Sequence, residues 1–106
     1  MLDLDIELNS TGIPFKNLYW VKSPAYPYGI YDDTLLIRGD DERLTIVEHT
    51  TTLELYAEKI DADAEGKIED WLNDKCCEFN KSRYWIDSEK HFQTIYEFEF
   101  IEKKGA

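Results

Sequence analysis

Two long stretches of the chain alternate apolar and polar residues with period two. Over residues 44–59, Val47, His49, Thr51, Leu53, Leu55 and Ala57 fall on one face, and Glu48, Thr50, Thr52, Glu54 and Tyr56 on the other. That is the pattern of a half-buried strand, and its β-branched content agrees. Over residues 92–101, Phe92, Thr94, Tyr96, Phe98 and Phe100 oppose Gln93, Ile95, Glu97, Glu99 and Ile101, predicting a second long strand. A shorter strand is expected over residues 83–86, joined to it through Asp87-Ser88-Glu89-Lys90. Between these lies a change of period: Ala64, Ile68, Trp71, Leu72, Cys76 and Phe79 recur at helical spacing behind the cap Asp61 and an acidic first turn. A helix over about residues 62–78 follows, with Lys75 near its end and Asn80 as its stop.

The amino-terminal half is less regular. Leu2, Leu4, Ile6 and Leu8 alternate with acids, which reads as a strand, although Asp is poor in strands and Leu4/Leu8 also suit a short helix. Asn9-Ser10-Thr11-Gly12 is punctuation, and Phe15 to Val21 reads as a strand. Pro24 and Pro27 exclude a helix there and lead into an aromatic strand through Ile30 and Tyr31. The charged stretch from Asp32 to Arg43 contains Arg38-Gly39-Asp40-Asp41 and reads as a hairpin tip or loop. The sum is an α+β domain: a mostly antiparallel sheet of four to five strands with one long helix on one face, Ile68, Trp71, Leu72 and Phe79 covering the sheet. Its opposite face, with Glu54, Glu97 and Glu99, is left polar and available.

Composition narrows the function. With 106 residues the chain suits one domain, small enough that association with copies of itself is a natural supplement to its own core. A formal charge of −11, from 23 acidic and 12 basic residues, argues against direct readout of DNA or RNA. No apolar run approaches the roughly 18 residues of a membrane span, and the first residues do not resemble a signal peptide, so a cytoplasmic protein is expected. Aromatics at 14% exclude a disordered acidic tail.

Strong catalytic signatures are missing: no glycine-rich phosphate loop, no nucleophile elbow, no paired CxxC and no HExxH. His49 and His91, with Glu48 and Glu89 nearby, fit no metal signature and read as ordinary strand histidines. Cys76 and Cys77 are adjacent, and alpha carbons about 3.8 Å apart lie below the disulfide range of about 4.4–6.8 Å, so no stapled scaffold is implied. Cys76 is expected in the core. Asp61, Asp63, Glu65, Glu69, Asp70 and Asp74 lack the bidentate Glu of a calcium loop, Leu72 standing at its twelfth position, and read as a solvated helix face. Tyr26, Tyr28 and Tyr31 suit stacking on bases or a polyproline ligand, but sheet core is the simpler account. Arg38-Gly39-Asp40 reads as a turn, not an adhesion motif.

The order of features carries a further indication. Ser10-Thr11-Gly12-Ile13-Pro14-Phe15 is followed by Pro24, Tyr26, Pro27, Tyr28, Gly29, Ile30 and Tyr31, then by a charged loop ending near Asp40-Asp41. Leu53-Glu54-Leu55-Tyr56 comes next, then Glu65, Ile68, Glu69 and Leu72, and last Ser88-Glu89 leading into Thr94-Ile95-Tyr96-Glu97-Phe98. Across residues 10–100 this resembles the small tail-terminator proteins (tail-completion or minor capsid proteins) of long-tailed phages and prophages of Gram-positive bacteria. The resemblance implies a single tail-terminator-like domain over 1–106, with helices packed on one side of a sheet and a short amphipathic helix ahead of Thr11-Gly12. It further implies a hexameric ring of identical copies that caps the tail tube and docks the head-completion proteins, in the bacterial cytoplasm during assembly and then in the virion. No cofactor and no catalysis are implied. A ring traversed by DNA benefits from a negative bore, and Asp32, Asp33, Arg38, Asp40, Asp41, Glu42 and Arg43 form the expected lumen or interface loop. Two other roles fit the residues: a head–tail connector of the same module, and a small acidic binding module that mimics DNA or inhibits a host enzyme.

Overall fold

A computed structural model describes residues 3–39, 44–75 and 78–105. Among them the chain forms two helices and five strands: α1 (Leu4–Asn9), β1 (Phe15–Asn17), β2 (Tyr28–Gly39), β3 (Leu44–Ala57), α2 (Ala62–Asp74), β4 (Phe79–Ile86) and β5 (His91–Gly105). The strands make one sheet in the order β1-β2-β3-β5-β4, antiparallel except for the short parallel pair β1–β2. The expected α+β class and mostly antiparallel sheet are present.

Of the two readings of residues 2–8, the helix holds over Leu4–Asn9, and Leu2 lies outside the described residues. Asp3 caps α1 by accepting from the Ile6 amide at 3.2 Å, and the i, i+4 pair Leu4 and Leu8 is buried while Ile6 faces solvent. Its end is closed by the Thr11 hydroxyl, which donates to the Leu8 carbonyl at 2.6 Å, and by Gly12 at φ +90°. The strand expected over Phe15 to Val21 is shorter. It ends at Asn17, where Leu18 takes φ 67° and Tyr19 donates back to the Asn17 carbonyl at 2.8 Å. Gly29 lies under the Phe15 ring, and a Cβ there would overlap the ring carbons, so a larger residue would force that buried ring aside.

The alternation over β3 and β5 is realised as read. Val47, His49, Thr51, Leu53, Leu55 and Ala57 are all buried, and opposite Leu53, Leu55 and Thr51 stand Tyr96, Thr94 and Phe98. Against this face α2 lays Ala64, Ile68, Trp71 and Leu72, and α1 adds Leu4 and Leu8. Each fully buried leucine or isoleucine of this layer contributes about 1.5–3 kcal/mol.

The single long helix is a correction: α2 ends at Asp74, and Phe79 and Asn80 belong to β4. Phe79 matched the helical spacing because the edge strand returns it to the same core, where its ring meets Tyr96 at 5.8 Å between centroids. Cys76 and Cys77 lie outside the described residues. The strand expected over residues 83–86 is the second half of β4, and residues 87–90 form the turn that was read there. The charged stretch from Asp32 is also a correction: residues 32–39 continue β2 and pair with β3 from Asp32↔Thr52 to Gly39↔Thr45. Charge signalled a loop, but Thr34, Leu35, Leu36 and Ile37 supply β-forming side chains that keep the ladder intact. No helix among the described residues is long and apolar enough to cross a membrane.

Candidate assembly surface

β1 pairs with β2 only as far as Tyr31, and β4 pairs with β5 only as far as Phe98. Beyond those points β2, β3 and β5 continue as a three-stranded arm of roughly 25 Å at the strand rise of about 3.4 Å per residue. The molecule is accordingly elongated, 52 × 28 × 22 Å. Both faces of the arm carry apolar side chains in the open: Leu35 is 49% exposed, Leu36 57%, Ile37 62% and Ile101 58%. Leu35 and Ile37 lie on one face of the arm and Leu36 and Ile101 on the other, which makes this end of the domain the candidate surface for contacts with other molecules.

A buried polar cluster stiffens the arm at its root. His49 on β3 is 5% exposed; its Nδ1 lies 2.7 Å from Asp33 Oδ2 on β2, and its Nε2 lies 2.6 Å from Glu102 Oε1 on β5. The second contact is close without hydrogen-bond alignment, leaving Nε2 and Glu102 Oε1 without a hydrogen-bond partner. Thr51 donates to the other Asp33 oxygen at 2.9 Å, and Phe100 stacks on the imidazole with centroids 4.1 Å apart. One side chain of β3 is thus hydrogen-bonded to β2 and in close contact with β5.

The residues expected as one lumen or interface loop are therefore split. Asp32 and Asp33 are consecutive on a strand and point to opposite faces, Asp33 turned in toward His49. Arg38 lies on the exposed face and pairs with Glu48 at 2.6 Å. Asp40, Asp41, Glu42 and Arg43 lie outside the described residues. The apolar residues of the arm were not singled out from the sequence. Their signal was the uncharged run Thr34-Leu35-Leu36-Ile37 between Asp33 and Arg38, which does not alternate and so buries neither set.

A second polar centre joins α2 to β4 and β5. Glu65, expected on a solvated helix face, is 5% exposed. It accepts from Arg83 Nη2 at 2.6 Å and Nε at 3.0 Å, from Lys81 at 2.9 Å and from Thr94 at 3.1 Å. Burial pushes its carboxyl up, but the hydrogen bonds from Arg83 and Lys81 outweigh that and hold it below the ordinary Glu value. Lys81 also donates to Glu69 at 2.8 Å, and these carboxylate partners raise its pKa against the opposing effect of burial. Glu69 accepts from the Tyr96 hydroxyl at 2.8 Å as well. Four charges of opposite sign cancel, and the cluster fastens the helix to the sheet.

On the opposite sheet face the aromatic segment stacks mostly on itself. Tyr26 lies on Tyr28 at 5.4 Å, Tyr28 approaches Tyr56 at 5.4 Å, and the Tyr26 hydroxyl meets His91 Nδ1 at 3.0 Å. Burial, with Glu54 beside it, pushes the Tyr56 hydroxyl up to about 12. Tyr31 sits on the helix-covered face, so the three tyrosines are not one platform. His49 and His91 are likewise on different faces, and no group of three metal-ligating side chains occurs among the described residues. No protein-family model and no curated protein matches the chain.

Proposed function

We propose that the chain is a non-enzymatic structural protein of a phage or prophage virion, a tail terminator that assembles as a ring, caps the tail tube and joins it to the head. The observation that carries this reading is the arm: a small domain projects three strands beyond its helices and leaves Leu35, Leu36, Ile37 and Ile101 uncovered. A subunit that completes its surface by assembly has that design. The order of sequence features from Ser10 to Phe98 supports the same reading, and so does α1, which stands ahead of Thr11-Gly12 where the resemblance calls for a short helix. On this reading the tube and head-completion proteins dock on the two rims of the ring.

An acidic DNA mimic has less support. A mimic needs carboxylates in paired rows, whereas across β3 and β5 Glu97 and Glu99 stand opposite Thr52 and Thr50, and Glu54 and Glu48 opposite Ile95 and Ile101. Glu65 and Glu69 are spent on Lys81 and Arg83. A head–tail connector of the same module is separated from a terminator by the partner it binds, tube or portal side.

Native mass spectrometry over a concentration series, with negative-stain imaging of any large species, tests the reading. A sixfold species with ring-shaped particles and a central hole is expected. A strict monomer or dimer at every concentration, still unassembled beside tail tubes of the same phage, overturns it.

A further inference from the structure

The two outer edges of the sheet are open and match each other. On β2 the Gly29 amide donates to Pro14 and the Tyr31 carbonyl accepts from Leu18, so odd-numbered residues direct their backbone groups outward. Past Tyr31 nothing among the described residues pairs with them, which leaves Asp33, Leu35 and Ile37 as an open edge. Carrying the alternation through the register of β3, β5 and β4 makes Phe79, Lys81, Arg83 and Trp85 the outward residues at the far edge. Natural edges are blunted by charge, proline or extreme shortness; the charges on these two edges, Asp33 on β2 and Lys81 and Arg83 on β4, are tied to partners within the subunit. Here β2 presents Thr34-Leu35-Leu36-Ile37, and β4 runs eight residues with Tyr84 and Trp85 about half exposed.

Resting on the ring reading, we infer that neighbouring copies join by strand addition, the β4 edge of one copy pairing antiparallel with the residue 32–38 edge of β2 in the next. Two observations select this partner over others. Strand directions alternate from β2 through β3 and β5 to β4, so a head-to-tail neighbour presents its β2 antiparallel to β4, the stronger ladder. Outward residues are odd on both strands and lie on the helix-covered face of both, so the joined sheet keeps its two faces. In the register that sets Asp33 opposite Arg83, Ile37 falls opposite Phe79 and Arg38 opposite Glu78. Pairing of the β2 edge with the open end of β5 is parallel and sets Asp32 and Asp33 beside Glu99, like charge on like. A head-to-tail contact of this kind is heterologous, and it closes into a ring when its rotation permits.

Cross-linking tests the register. In a Cys76→Ser, Cys77→Ser background, Leu36→Cys and Asn80→Cys occupy a non-hydrogen-bonded pair in this ladder, about 4.5 Å between alpha carbons and within disulfide reach. Oxidation of the doubly substituted protein is expected to produce a covalent ladder up to six copies, and neither single variant is expected to cross-link. Leu35→Pro removes an outward amide that bonds nothing among the described residues; circular dichroism is expected to be unchanged while assembly weakens at least tenfold. Covalent dimers from Leu36→Cys alone overturn the proposal in favour of a two-fold β2–β2 contact. A parental ring that neither cross-links nor responds to Leu35→Pro overturns the edge pairing and leaves the ring reading intact. A parental protein that never assembles, with tail tubes present, removes both.

Discussion

The body of the molecule and its arm are built from the same three strands and held together by different means. In the body, Leu53, Leu55 and Tyr96 are sealed under Ile68 and Leu72, and Glu65 locks the helix to β4 and β5. In the arm no helix arrives, and the strands rely on their ladder and on His49 between Asp33 and Glu102. Alternation in the sheet is the same in both; what differs is whether a second layer covers the apolar side. Stability is therefore concentrated in the body, and the arm's apolar residues are left free for contacts with other molecules.

That division can be broken from the body first. Leu55→Ala is expected to cost about 2–5 kcal/mol of unfolding free energy in urea titrations, because it empties a fully buried site under α2. Glu65→Ala comes next, at about 2–3 kcal/mol, since it strands Lys81 and Arg83 that solvent still partly reaches. The same carboxylate imposes a pH signature. Its folded pKa is lowered, so its contribution is present above the ordinary value of 4.5 and disappears as pH falls through the folded value. Stability of the parent is expected to fall more steeply below about pH 4.5 than that of Glu65→Gln, measured by denaturant titration at each pH.

In the arm the expected effects are smaller and local. His49→Ala leaves Asp33 and Glu102 facing each other across a void and is expected to cost about 1–2 kcal/mol. Amide exchange should accelerate over residues 45–51 and 99–103, with little change in β4. Ile37→Ser is expected to change monomer stability by less than about 0.5 kcal/mol, since the side chain is already in water. Its effect belongs in assembly, read by native mass spectrometry, and a large loss of stability instead would show that the arm is part of the folding core.

Much of the body was legible in the sequence. Val47 to Ala57 and Phe92 to Phe100 declare their buried faces by strict alternation, and Ala64, Ile68, Trp71 and Leu72 declare a helix by spacing of three and four. The candidate site was not legible in the same way. Asp33 and Glu102 are 69 residues apart in sequence and meet only because β2 and β5 flank β3. Glu65 sat among five other acids of the 61–74 segment; its spacing of three from Ile68 and seven from Leu72 placed it on the apolar stripe, but its partners Arg83 and Thr94 are brought there only by the sheet. Residues 32–39 were misread as loop because charge was weighed above the uncharged run that follows Asp33.

By itself, then, the sequence determined the periodicities, and with them the α+β class, the two long strands, the existence of α2 and the residues that face the core. These are properties of a few neighbouring residues whose spacing matches the repeat of a strand or a helix. Only the tertiary structure decided that α2 stops at Asp74, that β5 lies between β3 and β4, and that β1 and β4 stop short of the arm. Those outcomes depend on which segments meet across the sheet, and the open edges of β2 and β4 exist only where a neighbour is missing.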